Sequence, residues 1–187
     1  CGWKGQRILL HFGAVDWHAA VYVDGKLAGE HKGGYTPFSF DITDLLAKGR
    51  RHTVKLKVID TTDKSWQPRG KQISEPYGVW YTAVTGIWQT VWLEPVPAAH
   101  VNSYLAVSDI DKAELKVNVE AELESGDVCK VVLLDEGKEV ASAEGTEVVL
   151  PVPDMKLWSP DSPALYDLEI SVIRDGKTMD LVKGYIA

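Results

Sequence analysis

Cysteine is nearly missing from this sequence: Cys1 and Cys129 are the two it has. One stands at the start and the other lies deep in the second half. No disulfide framework is expected from them, and no metal-ligand spacing exists. Basic residues are in the minority, with 20 Lys and Arg against 27 Asp and Glu and a net charge of −7. That balance excludes the electrostatic footprint of a nucleic-acid or anionic-membrane partner. Long apolar runs are also missing, and none approaches the ~20 residues that span a bilayer. No signal peptide is recognisable. Its absence says little about compartment, because the chain does not read as a complete gene product. Helical periodicity is confined to Ile42–Lys48, room for one turn.

What remains is alternation. Arg7–Phe12, Ala19–Val23, Thr53–Ile59, Ile87–Leu93, Glu114–Glu122, Val128–Leu134, Thr146–Leu150 and Leu165–Ile173 carry apolar residues at period two. Gly, Pro, Asp or Asn bounds each of them. Asp24-Gly25 and Asp175-Gly176 are hairpin dipeptides, since both positions must accept positive φ. The class is all-β, with many short strands at regular spacing, as in sandwiches. Pro95-Val-Pro97 is the natural linker, because two prolines remove backbone donors and stop a strand. The expected division is 1–97 and 98–187, with the second part sized for an immunoglobulin-like sandwich. Seven Trp stand beside three Phe. Most of these indoles are expected in the sandwich core, with a few left to stack on sugar faces.

Candidate chemistry is thin. His11, His18, His31, His52 and His100 show no ligand spacing, and His31 reads as a loop residue, so no metal or cofactor is expected. No Gly-x-Ser-x-Gly elbow occurs. Gly33-Gly34 has no helix behind it to cradle a phosphate. Glycoside hydrolysis needs two facing carboxylates. Asp16, Asp24, Glu30, Asp41, Asp44, Asp60, Asp63 and Glu75 are mostly beside turn residues, where solvated carboxylates are the default. Asp41 is placed to cap the turn that follows it. The irregular stretch Ser65–Gln72 is the exception. Trp66 offers an indole face, Arg69 and Lys71 offer cations, and Gln72 an amide, a set suited to sugar hydroxyls and apolar sugar faces. A mobile surface loop is the equal alternative.

The motifs then converge. Gly13-Ala-Val-Asp16, Ala20-Val-Tyr-Val-Asp24-Gly25, Gly33-Gly-Tyr-Thr-Pro-Phe38 and Phe40-Asp-Ile-Thr-Asp-Leu-Leu46 resemble the N-terminal sugar-binding sandwich of glycoside hydrolase family 2. This is the family of β-galactosidases, β-glucuronidases and β-mannosidases. Thr85-Gly-Ile-Trp88 running into Val91-Trp-Leu-Glu94 resembles that domain's closing strand. Leu157-Trp-Ser-Pro160 and Pro163-Ala-Leu-Tyr166 resemble the immunoglobulin-like domain that follows. As structural devices, Gly33-Gly34 turns the backbone sharply, and Gly86 is expected to admit close packing before Trp88.

The resemblance implies a jelly-roll-type, galactose-binding-like sandwich followed by an immunoglobulin-like one. It implies a missing catalytic partner, a (β/α)₈ barrel carrying both catalytic glutamates, which have no counterpart here. An aspartate that some β-galactosidases use before the Gly-Ile-aromatic motif is replaced near Trp80, so that role does not transfer. The chain is expected to start late and lack its first strands, leaving an exposed sheet edge that invites a homodimer. The implied function is the non-catalytic accessory portion of a retaining exo-β-glycosidase, β-galactosidase-like, acting on O-glycosyl bonds in carbohydrate metabolism. Carbohydrate contact falls to Trp66, Arg69, Lys71 and Gln72, with Asp16 and His18 behind them. A periplasmic or extracellular bacterial parent fits. The alternative is a stand-alone carbohydrate-binding or adhesion module, since fold alone does not fix function.

Overall fold

A computed structural model describes residues 2–49 and 51–187. Cys1 lies outside them, and with it the question of its pairing. Cys129 is a buried free thiol whose pKa burial pushes up. Strand is the dominant regular structure of the described backbone, with one 3-10 turn at Thr43–Leu45. Two compact units form, Cys1–Pro95 and Val96–Ala187.

The first unit contains β1 (Arg7–Phe12), β2 (Val15–Asp16), β3 (His18–Val23), β4 (Lys26–Lys32), β5 (Phe38–Asp41), β6 (Val54–Ile59), β7 (Gln72–Ile73), β8 (Tyr81–Thr82), β9 (Gly86–Ile87) and β10 (Val91–Val96). Sheet β4-β3-β6 and sheet β10-β1-β5 are accompanied by the small pairs β2-β9 and β7-β8. Alternation along β1 turns Ile8, Leu10 and Phe12 inward. There they meet Ala19, Val21 and Val23 of β3 and Ile42 from the turn. Both larger sheets thus feed one core, which makes this unit a sandwich. Phe12 is fully buried and stacks on Phe38 at 4.8 Å.

The second unit holds β11 (His100–Asp109), β12 (Glu114–Glu122), β13 (Val128–Asp135), β14 (Lys138–Glu144), β15 (Glu147–Pro151), β16 (Tyr166–Arg174) and β17 (Lys177–Ile186). Sheet β11-β12-β15 faces sheet β14-β13-β16-β17. All pairings are antiparallel. Val117, Val131, Leu133, Leu150, Leu168 and Ile170 are fully buried between them. Seven antiparallel strands in sheets of three and four are the immunoglobulin-like layout. The Tyr166 hydroxyl accepts the Lys156 backbone N–H at 2.7 Å, tying an irregular crossing to the core. Arg174 grips Asp127 with two bonds of 2.6 and 2.8 Å, holding the β12–β13 connection to β16.

Asp24-Gly25 and Asp175-Gly176 take positive φ at their hairpins, as the dipeptides require. Glu136-Gly137 does the same between β13 and β14 without an obvious signal, because Glu rarely occupies that region. Several expectations are corrected. The indoles do not build the core. Trp3, Trp66, Trp88, Trp92 and Trp158 are all at least 42% exposed, and aliphatic strands with Phe12 fill the interior. Ile87–Leu93 is not one strand. β9 pairs with β2 while β10 pairs with β1, and Gly13 donates to the Thr90 carbonyl between them. Pro95 does not stop β10, which continues to Val96 along a sheet edge where a missing donor costs nothing. His31 lies in β4, not in a loop. The charged strands β4, β14 and β17 gave weak apolar alternation because each is a sheet edge with mostly exposed side chains.

Asp24 is also not a solvated turn carboxylate. It accepts the backbone N–H groups of Ala47 and Thr53 at 2.9 and 2.8 Å, and bonds His52 Nδ1 at 2.8 Å. These bonds, the backbone N–H of Ala47 first, lower its pKa to about 2. A depressed folded-state pKa stabilises above the unfolded value near 3.8, and that contribution is lost as pH falls through about 2. Asp24→Ala is therefore expected to lower the melting temperature at pH 7 and to flatten its fall between pH 4 and 2. Melting curves across that range measure both. Asp41 is not the cap expected of it, since Ile42 takes that position without a side-chain bond; its Oδ1 instead accepts the Thr43 N–H at 2.9 Å and hydroxyl at 2.6 Å, and its other oxygen pairs with Arg7.

Candidate functional site

A polar cleft of the first unit gathers around Asp16. Strand β2 sets this residue opposite Gly86 of β9. Asp16 is joined to Trp17 by a cis peptide bond. The Gly33 N–H donates to the Trp17 carbonyl at 3.2 Å, which brings the Gly33-Gly34 turn against the aspartate. A Cβ on Gly34 would sit 2.7 Å from Asp16 Oδ1, so glycine is required there for space. The Trp88 indole N–H donates to the Gly34 carbonyl at 2.7 Å, and Tyr35 stands edge-on to Trp88 with centroids 6.0 Å apart. Gly86, by contrast, has open space around a Cβ and φ of 113°. Conformation, not the expected close packing, selects it.

The cleft has a volume of about 300 Å³ and is walled by Asp16, Tyr35, Gln72 and the segment Val84–Trp88. Gln72 is fixed by accepting the Val84 N–H at 2.7 Å through Oε1. Asp16 is 8% exposed, and its Oδ1 has no hydrogen-bond partner. Burial pushes its carboxyl pKa up, the negative charge of Asp60 adds to this, and a bond from the Gln72 amide opposes it. Asp60 is itself saturated. Its Oδ1 accepts from Thr62 N–H and the Gln67 amide, and its Oδ2 from the Thr85 hydroxyl at 2.8 Å. Asp60 is therefore not free to act as a second catalytic carboxylate across the cleft. The orphaned Oδ1 is itself buried against Gly34, and the cleft beside it is walled by an indole, a phenol and an amide, a lining suited to a hydroxylated ring.

A buried acceptor without a donor costs about 1–3 kcal/mol. The ionised form of Asp16 opposes folding, so its cost appears as pH rises from the unfolded pKa through the raised folded one. Asp16→Asn is expected to raise stability near neutral pH by roughly 1 kcal/mol. Below pH 4 the difference should vanish. Denaturant titrations at the two pH values measure it.

The other sequence candidates divide. Gln72 lies in the cleft with Asp16. Trp66 is 89% exposed and packs edge-on to Trp17, centroids 6.4 Å apart. Arg69 lies over the Trp80 ring at 5.8 Å. Lys71 is exposed, and its carbonyl accepts the Tyr81 N–H. His18 pairs with Glu30 at 2.9 Å, outside the cleft lining. Glu75 is exposed and apart from the cleft as well. The site residues not singled out from sequence are Gly34, Tyr35, Thr85 and Trp88. Their signal was the pair of motifs Gly33-Gly-Tyr and Thr85-Gly-Ile-Trp, which the fold closes on Asp16.

Residues 1–97 match the sugar binding domain of glycosyl hydrolases family 2, and residues 85–187 match a second segment of the same family. The chain belongs to glycosyl hydrolases family 2. It is 28% identical to a β-galactosidase of Thermoanaerobacter pseudethanolicus over 95% of this chain and 25% of that protein. It is 29% identical to a β-glucuronidase of Paenibacillus borealis over 91% of this chain and 31% of that protein. A β-glucuronidase structure from Ruminococcus gnavus, solved with D-glucuronic acid, overlays 99% of this chain and 34% of its own with a TM-score of 0.77 at 23% identity. This family 2 chain thus spans about a quarter to a third of the length of the relatives it matches. The Asp16 cleft lies within the segment matched to the sugar binding domain.

Proposed function

We propose that this chain is the non-catalytic accessory portion of a retaining exo-β-glycosidase, β-galactosidase-like. It works joined to a (β/α)₈ barrel that supplies the acid/base and nucleophilic glutamates. The observation that carries this reading is the family match across both units, with relatives three to four times longer whose names are β-galactosidase and β-glucuronidase. The Asp16 cleft supplies the contact with the terminal sugar: Asp16 and Gln72 are its polar groups, and Trp88 and Tyr35 supply the apolar wall. Trp66, Arg69 and Lys71 form the outer rim.

The test is a pair of proteins. The chain alone should show no turnover of aryl β-galactosides or β-glucuronides, and the same chain joined to its downstream coding sequence should hydrolyse one of them. Turnover by the chain alone, lost on Asp16→Asn, would overturn the accessory role. A stop codon after residue 187 in the gene would favour the stand-alone binding module.

A second copy of the chain is the other partner we propose. Edge strands β6 and β10 present half-exposed Val54, Ile59, Val91, Trp92 and Leu93. Such edges pair with like edges. Light scattering should show a mass between one and two chains that rises with concentration. A constant monomer mass rejects pairing.

A further inference from the structure

The tripeptide Asp-Gly-Lys occurs twice, at 24–26 and at 175–177. The first copy turns β3 into β4 and the second turns β16 into β17. Their backbones agree closely. φ is 47° and 84° across Asp24-Gly25, and 49° and 70° across Asp175-Gly176. A Cβ on either glycine would meet nothing within 4 Å. Sequence, turn conformation and free space therefore do not tell the two hairpins apart.

The carboxylates do. Asp24 accepts the Ala47 and Thr53 N–H groups at 2.9 and 2.8 Å and bonds His52 at 2.8 Å, and its side chain is 13% exposed. Its own N–H donates to the Thr53 carbonyl at 2.9 Å. Asp175 is exposed, and no hydrogen bond or ion pair holds its carboxylate among the described residues. Arg174 beside it is committed to Asp127 and Glu124. A glycine nitrogen has no adjoining Cβ to hinder its swing onto the carboxyl carbon of the preceding residue. We propose that Asp175-Gly176 is a site of isoaspartate formation, and that the fold spares the identical tripeptide at Asp24.

The Gly176 nitrogen attacks Cγ of the neutral Asp175 carboxyl. The N–Cγ bond forms, the Cγ–O bond breaks, and the amide proton leaves with the hydroxyl as water, closing a succinimide ring. Water then reopens the ring at either carbonyl. Cleavage of the bond to Cγ restores aspartate. Cleavage of the bond to the main-chain carbonyl carbon leaves the chain running through Cγ, with no net change in mass. At Asp24 three bonds hold the carboxyl away from its glycine. With its pKa lowered to about 2, that carboxyl is also neutral roughly 60-fold less often at neutral pH than one at the ordinary 3.8. The product at 175 has one more backbone methylene in the two-residue turn that sets Arg174 opposite Lys177. It is also a methyl acceptor for an enzyme of the L-isoaspartate methyltransferase class.

The 187-residue chain is aged at pH 7 and 37 °C, folded and in parallel in urea. Isoaspartate is counted by methyl transfer from S-adenosylmethionine and located by mass spectrometry of the digested chain. In the folded chain residue 175 is expected to carry at least about tenfold more isoaspartate than residue 24. In urea the two should form it at similar rates, because their tripeptides are the same. Asp175→Glu should bring the folded chain's methyl acceptance close to background. Equal yields at the two sites in the folded chain, or more at residue 24, overturn the proposal. So does isoaspartate at 175 in urea with none in the folded chain, which would mean that the hairpin itself forbids ring closure. A difference between the sites that persists in urea overturns the fold as its cause.

Discussion

Phe12→Ala is expected to destabilise the first unit by about 3–5 kcal/mol, the range for emptying a fully buried aromatic site. Phe12 has no exposed surface, lies at the inward end of β1, and stacks on Phe38. Phe38 in turn stacks on His31 at 4.3 Å and meets Phe40 edge-on at 5.6 Å. The cavity would open in the middle of a ring cluster whose members are braced by one another, so collapse to fill it is hindered. Ile8→Val at the other end of β1 should cost about 1 kcal/mol. Chemical denaturation followed by tryptophan emission reads the change, because Trp3, Trp17, Trp66, Trp80, Trp88 and Trp92 all belong to this unit. Trp158, in the second unit, has its own core of Leu115, Leu133, Leu168 and Ile170 to report on. A loss below 1 kcal/mol for Phe12→Ala would mean that the interior of the first unit is not close-packed around this ring.

The sequence carried the strand pattern well where one face is buried. Ile8, Leu10 and Phe12, or Leu115, Val117 and Val119, alternate because every second side chain must leave water. It carried edges poorly. Lys138–Glu144 and Lys177–Ile186 hold their place through pairing with a buried neighbour, so their own side chains are under little constraint. The indoles misled for a related reason. Composition counts a Trp without saying where it points: Trp92 falls on an open strand face, and Trp88 lies between β9 and β10. At the site, Asp16 and Gln72 were within reach from residue type and loop position. The burial of Asp16 was not legible, because it comes from Gly34 and Trp88, which are distant in sequence and meet it only after the sandwich closes. The same holds for Asp24: a hairpin aspartate looks solvated until Ala47, His52 and Thr53 are folded against it.

Gly34→Val is expected to act on stability and on the cleft together. The first atom added would stand 2.7 Å from Asp16 Oδ1 and 3.1 Å from its Cγ, and the branched methyls would need more room again. Asp16 cannot easily yield, because β2 holds its backbone to β9 and its side chain has 8% exposure. Overpacking of this kind costs about 1–3 kcal/mol. The alternative is that the turn moves, which pulls the Gly34 carbonyl from the Trp88 indole and takes Tyr35 with it. Either response disturbs the wall that faces Asp16. Affinity for methyl β-D-galactopyranoside is therefore expected to fall by tenfold or more, equivalent to about 1.4 kcal/mol. Gly2→Ala is the control, since a Cβ there meets open space, and it should leave melting and binding unchanged. Binding retained in Gly34→Val at native affinity would place the sugar elsewhere on the sandwich. Retained melting with lost binding would show that the turn had moved without strain, and that the position of Tyr35 and Trp88 against Asp16 is what the ligand reads.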